Sequence, residues 1–548
     1  MKGRQANANL VASREGRAIE TSRGAMAHRT RGKRLHLALH DVAGEPDTEN
    51  PDVTPASALA ATPDPLHGLA RLGLWNLAAT LVPGIYSTLL VAYLLRSVGP
   101  TSYAPWAVTV ALLGWLSLLD LGLSQTTTRE AARASAGDFD AIERVHVANT
   151  GYALMALVGL GLGLAFAFCT PAILHLSDGT AITSLLVGVF LAIDFSIVLA
   201  SAGWMGVARG LGRFDLVFAA NLVQVVVAVA VVVVLVPHLG IVGAAMAQPA
   251  GRMAGRSSLA AILTRRIPWF SIRPHRARGL ALRALVAVSG PIMLMQLATQ
   301  IGSGTDVIIV GAFGVASQVG QYAAGAQLVR YGMFLLFPLI DVVLPRFSAV
   351  ATRSDTHVGD LLYRTVVLSG LVGAACLGFL AIEAPTAMRL WSGQSAELSV
   401  SVLLVYAATY VMIVPSHVVV LMLIARGQHA LVALAILAEA LVNVCLSVVL
   451  TATIGPLGPA ISSLVVVTVD DNIVIPIIAS RRLGLPAMAL EGAQLGGILA
   501  GLALAASASA IPIAGDAGIV VRGATLTALL LICVVVTLRP RTTARIVR

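Results

Sequence analysis

The sequence predicts an all-α integral membrane protein with fourteen membrane-spanning helices and both ends in the cytoplasm. Three observations carry this. Of 548 residues, 57% are hydrophobic and only 12% charged, about half the charged share of a soluble globule. The mean hydropathy is +0.86. The apolar residues also fall in more than a dozen runs of about 20 residues or longer, enough to cross a ~30 Å hydrocarbon layer at 1.5 Å per residue.

Residues 1–70 differ from everything that follows. The first part is Arg-rich, and the stretch 41–64 is acidic and Pro-rich, ending Thr62-Pro63-Asp64-Pro65. No apolar period runs through it, so a disordered cytoplasmic tail is expected. It lacks the apolar centre of a signal peptide, and Met26 is an alternative start.

The apolar segments then follow in order at 73–95, 104–126, 148–170, 181–206, 215–237, 240–263, 286–312, 320–345, 361–383, 398–424, 429–453, 455–479, 488–511 and 517–538. The even-numbered loops and the C-terminus carry the cations. These are Arg129, Arg133 and Arg144, then Arg209 and Arg213, then a run from Arg265 to Arg283. Arg346, Arg353, Arg426, Arg481 and Arg482 continue the series, closed by Arg539, Arg541, Arg545 and Arg548. The odd-numbered loops hold only Arg96, Arg389 and Arg522. Positive loops face the cytoplasm, which fixes the direction and requires an even helix count. The net charge of +10 therefore reads as a membrane-face bias and not as a nucleic-acid groove.

Several functions are excluded or made improbable. Lys2 and Lys33 are the only lysines, so no P-loop exists, and no loop is long enough to house a nucleotide-binding domain. Cys169, Cys376, Cys445 and Cys533 each sit in an apolar run without close partners, as small core residues do. No catalytic signature and no cofactor motif is visible, and a non-enzymatic protein is expected.

An offset of 215 residues relates two parts of the chain. Gly99 maps to Gly314. Gly212, Leu216 and Val217 map to Gly427, Leu431 and Val432. Gly240, Gly243 and Ala245 map to Gly455, Gly458 and Ala460. Six segments lie within the offset, so the halves share one orientation, a parallel repeat of the kind transporters use. The expected divisions are the tail 1–70, a first six-helix bundle with its connecting loop 71–284, a second bundle 285–482, and an extra helix pair with a basic tail 483–548.

Residues 90–135 include Leu-Ser-Leu-Leu-Asp-Leu-Gly-Leu-Ser-Gln-Thr-Thr-Thr-Arg-Glu-Ala-Ala-Arg. With Arg209-Gly-Leu-Gly-Arg-Phe-Asp215 and the Gly-x-x-Gly-Ala opening of the sixth segment, this resembles the Wzx-type polysaccharide flippases. Their superfamily, MOP, also holds the MATE exporters and the lipid II flippase. The resemblance spans roughly 73 to 540. It implies movement of a polyprenyl-diphosphate-linked oligosaccharide across the bacterial inner membrane by alternating access, among membrane lipids and other polysaccharide-assembly proteins. It also implies that the last helix pair forms a groove for the lipid tail.

Charges within apolar segments are costly and point to function. Arg252 and Arg256, one turn apart, and Arg330 are the candidate diphosphate site, since guanidinium binds phosphate through parallel hydrogen bonds. Alternatively, Arg256 snorkels to the interface and Arg330 makes a structural ion pair. Arg252→Ala or Arg330→Ala is expected to abolish surface polysaccharide with normal membrane abundance. Asp194, Asp306, Glu439, Asp470 and Asp471 are candidates for carrying a coupling proton or sodium ion, or for satisfied contacts between helices. Asp306 and Arg330 fall at similar depth. Asp471 stands one offset from Arg256. Asp120 and Asp341 are expected as a gate or as helix-end stabilisers, and His417 as a proton carrier or a structural residue. Two rival functions remain: a MATE-like cation-coupled exporter of small molecules, and a membrane polymerase or glycosyltransferase. The latter needs catalytic carboxylates outside the bilayer, and the longest odd-numbered loop, around Trp391, has only about 14 residues.

Overall fold

The computed structural model describes residues 65–120, 123–271, 296–298, 300–302, 304–341, 347, 355–393, 396–513 and 515–538. Residues 1–64 of the expected tail, most of the expected seventh segment, the run from Arg273 to Arg283, Arg346, Arg353 and the four C-terminal arginines lie outside them, while residues 65–70, expected in the tail, already belong to the first helix. By contacts the chain divides into two units, Met1–Arg71 and Leu72–Arg548. Apart from the first turns of the first helix, the second holds everything described below.

All the regular elements among the described residues are helical. In order they are α1 (Pro65–Ser97), α2 (Gly99–Trp115), α3 (Leu123–Ser135), α4 (Phe139–Ile173), α5 (Asp178–Gly210), α6 (Phe214–Leu239) and α7 (Ile241–Arg266). Then come α8 (Asp306–Phe313), α9 (Ala316–Asp341), α10 (Asp355–Ile382), α11 (Ala384–Ser392), α12 (Glu397–Ala425) and α13 (His429–Ile454). The series closes with α14 (Gly458–Val469), α15 (Ile475–Leu483), α16 (Ala487–Ser509) and α17 (Asp516–Leu538).

Eleven helical stretches among the described residues are long and apolar enough to span a bilayer. The three expected segments that do not qualify are the sixth, seventh and eighth. The seventh is incompletely described. The sixth and eighth, α7 and α9, carry Gln248, Arg252 and Arg256, and Gln321, Gln327 and Arg330. All of these but Gln321 line cavities described below, and such polar residues lower the hydropathy of the helices that bear them. The expected second segment is not one helix. After α2 the chain tightens into a 3₁₀ turn, Leu116–Asp120, and α3 follows. Asp120 holds the break, accepting from Ser124 Oγ and Tyr152 Oη at 2.9 Å each.

Small residues bring the helices together, as expected where lipid is as apolar as leucine. Gly251 and Gly255, one turn apart on α7, lie against the backbone carbonyls of Gln224 and Ala220 on α6. Gly497 and Gly501 on α16 do the same against Val367 and Leu371 on α10. Large apolar side chains such as Leu157, Val226, Val233, Leu441 and Leu499 point outward, as a lipid-facing surface requires.

The 215-residue offset is written into the helix boundaries. Phe214 and Leu239, which bound α6, map to His429 and Ile454, which bound α13. Gly210, the end of α5, maps to Ala425, the end of α12. The glycines at these joints repeat their geometry. Gly212 and Gly427 have φ of +68° and +77°, and Gly240 and Gly455 +56° and +83°. Residues with side chains adopt this region at a cost, which explains why glycine recurs at both repeats.

Each arginine of the odd-numbered loops is engaged. Arg96 donates to the carbonyls of Leu390 and Trp391. Arg389 pairs with Asp516 at 2.6 Å, and Arg522 with Glu383 at 2.7 Å. The last two tie α17 to both ends of α11. At the opposite end, the buried Glu130 collects Arg144 at 2.7 Å, Arg129 at 3.3 Å and Arg133 at 3.5 Å.

Candidate functional site: two cavities of opposite charge

The glycine contacts of α7 set the direction of its arginines. Gly251 and Gly255 face α6, so Arg252 and Arg256, one residue further on, turn about 100° around the helix toward the interior. Arg252 grips Asp194 of α5 through two parallel hydrogen bonds, Nε to Oδ1 at 2.7 Å and Nη2 to Oδ2 at 2.8 Å. The pair lines a cavity of about 450 Å³ together with Tyr86, Gln224, Gln248 and, from the second half, Gln327 and Tyr331. Gln248 donates to Tyr86 Oη at 2.8 Å.

Toward the end bearing the even-numbered loops lies a second space of about 260 Å³. It is lined by Arg209, Arg252 and Arg256, with Asn76, Thr80 and Asn221. Arg256 is only 9% exposed and pairs with no acid among the described residues. Its Nη1 reaches Met205 Sδ at 2.9 Å and Asn221 Oδ1 at 3.3 Å. The amide of Asn221 donates in turn to the carbonyl of Ala79 at 2.8 Å. That carbonyl lies four residues before Pro83, whose ring nitrogen cannot supply the usual helix bond. Asn221 thus joins the arginine site to the proline break in α1.

The other half holds a cavity of about 300 Å³. It is lined by Asp306, Arg330, Tyr406, Tyr410, His417, Glu439, Asn443, Asp470 and Asp471. Asp306, 2% exposed, accepts from Tyr406 Oη, which is 2.9 Å from Tyr322 Oη. Asn443 binds α13 to α14 through Ser462 at 2.7 Å and Ser463 at 3.2 Å. Between α14 and α15 the chain forms a π-helical turn, Asp470–Val474. That wider turn, frequent at functional sites, lets two successive aspartates reach one cavity. His417 also stacks on Phe337 with centroids 4.8 Å apart.

The two cavities occupy equivalent places in the repeat. Adding 215 to Leu191, Asp194, Phe195, Gln224, Gln248 and Arg252 gives Tyr406, Thr409, Tyr410, Glu439, Ser463 and Val467. All six line the second cavity. Met205, Asn221 and Arg256 of the smaller space map to Val420, Ile436 and Asp471, which line it too. The first half presents three arginines against Asp194. The second presents four carboxyl groups against Arg330.

The residues singled out from sequence are therefore divided. Arg252, Arg256 and Asp194 come together. Arg330 does not join them; it lines the second cavity with Asp306, Glu439, Asp470 and Asp471. Asp120 closes a helix away from both cavities, and the side chain of Asp341 lies outside the described residues. Arg209, a loop charge by sequence, lines the arginine space. The Gly-x-x-x-Gly spacing of Gly251 and Gly255 is the sequence signal for which face of α7 packs on α6 and so which face turns inward.

The halves meet at the end bearing the odd-numbered loops. Trp391 Nε1 donates to the Thr88 carbonyl at 3.3 Å, and a Cβ on Gly320 would overlap the Pro100 carbonyl. Tyr331 Oη lies 2.8 Å from Ser87 Oγ.

The fold is similar to that of the lipid II flippase MurJ in an inward closed conformation. The TM-score is 0.65 at 13% identity, over 84% of this chain and 98% of that one. It is also similar to a multidrug resistance MATE family transporter of the MOP superfamily. The inward-facing form gives a TM-score of 0.59 at 14% identity, over 80% of this chain and 100% of that one. The outward-facing form gives 0.55 at 18%, over 78% and 97%. No curated protein matches in sequence. The family model described as polysaccharide biosynthesis protein matches residues 69–351, more than half of the chain and all of the arginine site, and the chain belongs to that family.

Proposed function

We propose that the protein flips polyprenyl-diphosphate-linked oligosaccharide across the bacterial inner membrane by alternating access, with fourteen spans and both ends cytoplasmic. The observation that carries this is the paired space around Arg209, Arg252 and Arg256, buried among helices and open toward Gln224, Gln248 and Gln327. Permanent cations suit a diphosphate, and amide side chains suit sugar hydroxyls. The contacts between Gly320 and Pro100 and between Trp391 and Thr88 close the outer side, so the substrate enters from the cytoplasmic leaflet. Arg252 exchanges Asp194 for a phosphate oxygen as it does so.

The carboxyl-rich cavity of the second half takes the coupling cation, a proton or sodium ion, and its occupancy biases the closure of one half on the other. The same carboxyls and tyrosines favour one rival, a MATE-like exporter of organic cations. Reconstitution separates the two. Liposomes containing the protein are expected to move a fluorescent polyprenyl-diphosphate oligosaccharide between leaflets and to leave ethidium distribution unchanged. Movement of ethidium without movement of the lipid-linked sugar would reverse the assignment.

A further inference from the structure

The arginine cavity has an apolar neighbour. On the lipid side of α1 and α6 lies a groove of about 400 Å³, walled by Ile85 and Leu89 on α1 and by Val229 and Val233 on α6. Tyr86 and Leu90 line both this groove and the cavity of Arg252. Tyr86 is 8% exposed, and its hydroxyl is held by Gln248 inside. Its ring is therefore the partition between a polar chamber and an apolar channel. Earlier along the same two helices, Trp75 packs on Phe218 with centroids 5.3 Å apart and Asn221 bonds to Ala79. Ile85, Leu89, Val229 and Val233 are all exposed on the outer surface.

A molecule with its diphosphate at Arg252 and a long hydrocarbon tail must pass that tail between two helices, because a polar chamber cannot solvate it. We infer that the cleft between α1 and α6 holds the proximal isoprene units of the polyprenyl chain, with Tyr86 as the gate between head and tail. This rests on the flippase reading. Lipid tails are as apolar as the groove itself, so the groove acts by shape, and a side chain that fills it obstructs the tail and displaces the bound ligand. The groove lets the head enter while the tail stays in apolar surroundings. This places the tail away from the terminal pair α16 and α17, where the family resemblance put it.

The test uses the full-length protein in phosphatidylethanolamine–phosphatidylglycerol vesicles with radiolabelled long-chain polyprenyl diphosphate. A benzophenone amino acid is placed at Val229 or Ile85 in the groove, and at Leu499 or Val520 on the outer faces of α16 and α17. The expected result is labelling at Val229 and Ile85 that excess unlabelled polyprenyl diphosphate removes. Val229→Trp and Ile85→Trp, which fill the groove from opposite walls, are each expected to weaken the long-chain ligand about tenfold. Neither is expected to alter binding of inorganic diphosphate, which has no tail to seat in the groove and so also shows that the variants are folded. Ligand that binds but labels Leu499 or Val520 instead, or phospholipid label at Val229 that polyprenyl diphosphate does not displace, overturns the groove and leaves the flippase reading standing. Absence of any prenyl diphosphate binding overturns both.

Discussion

The two halves of the molecule share helix boundaries and joint glycines, yet their cavities carry opposite chemistry. At equivalent positions the first half has Gln224 and Arg256 where the second has Glu439 and Asp471. The first half closes Arg252 on a single aspartate, while the second gathers four carboxyls around Asn443 and a π-helical turn. Under the proposed function this duplicated scaffold takes an anion in one half and a cation in the other, and each ligand reports to the other only through the interface that the halves share.

The comparison is broken most severely at Arg252. Arg252→Gln together with Asp194→Asn is expected to lower binding of a prenyl diphosphate by ~100-fold, about 3 kcal/mol, with normal amounts of protein in the membrane. Arg252→Ala alone is expected to lower abundance as well, since it strands Asp194 as a buried unpaired charge at a cost of about 3–5 kcal/mol. This revises the expectation drawn from sequence alone, where Arg252 had no identified partner. Membrane abundance and ligand binding, measured on the single and double variants, check it. Normal binding in the double variant would remove Arg252 from the site.

A milder change makes the first cavity resemble the second. Gln224→Glu places a carboxylate where Glu439 stands in the repeat, and about tenfold weaker diphosphate binding is expected from the added like charge. Unchanged affinity would mean that the substrate does not approach α6. In the other direction, Glu439→Gln with Asp471→Asn is expected to leave diphosphate binding within about twofold, less than about 0.5 kcal/mol. Transport by that variant becomes indifferent to an imposed proton or sodium gradient, as liposome flux with and without each gradient will show. Retained gradient dependence would move coupling away from these carboxyls.

The smallest effect is expected at the link to α1. Asn221→Leu leaves the Ala79 carbonyl unsatisfied and frees Arg256 from its amide. A loss of about 1 kcal/mol is expected, seen as a thermal midpoint lowered by a few degrees. An unchanged midpoint would mean that the carbonyl beside Pro83 needs no cap.

Much of the fold was legible because a bilayer imposes a length on every apolar run and a charge bias on every loop. The offset was legible too, because glycine is needed wherever φ is positive, as at Gly212 and Gly427. The break after Asp120 was not legible, since Leu-Ser-Leu-Leu-Asp keeps the hydropathy of a helix and the bonds from Ser124 and Tyr152 end it. The membership of each cavity was legible only in part. Depth along a helix can be counted, so Arg252 and Arg330 were both placed deep. Their separation depends on which neighbour each helix face meets. Arg209 was hidden for the opposite reason: it stands at the end of α5 beside a loop, and only packing turns it toward Arg256.

The central claim is the division of labour between the cavities, and it is tested most directly by measuring two ligands on two variants. Purified protein in nanodiscs is titrated with a ten-carbon prenyl diphosphate and, separately, with sodium and with protons. The Arg252→Gln, Asp194→Asn variant is expected to lose the diphosphate and keep the cation. The Glu439→Gln, Asp471→Asn variant is expected to lose the cation and keep the diphosphate. Loss of the same ligand in both, or loss of neither, would contradict the account.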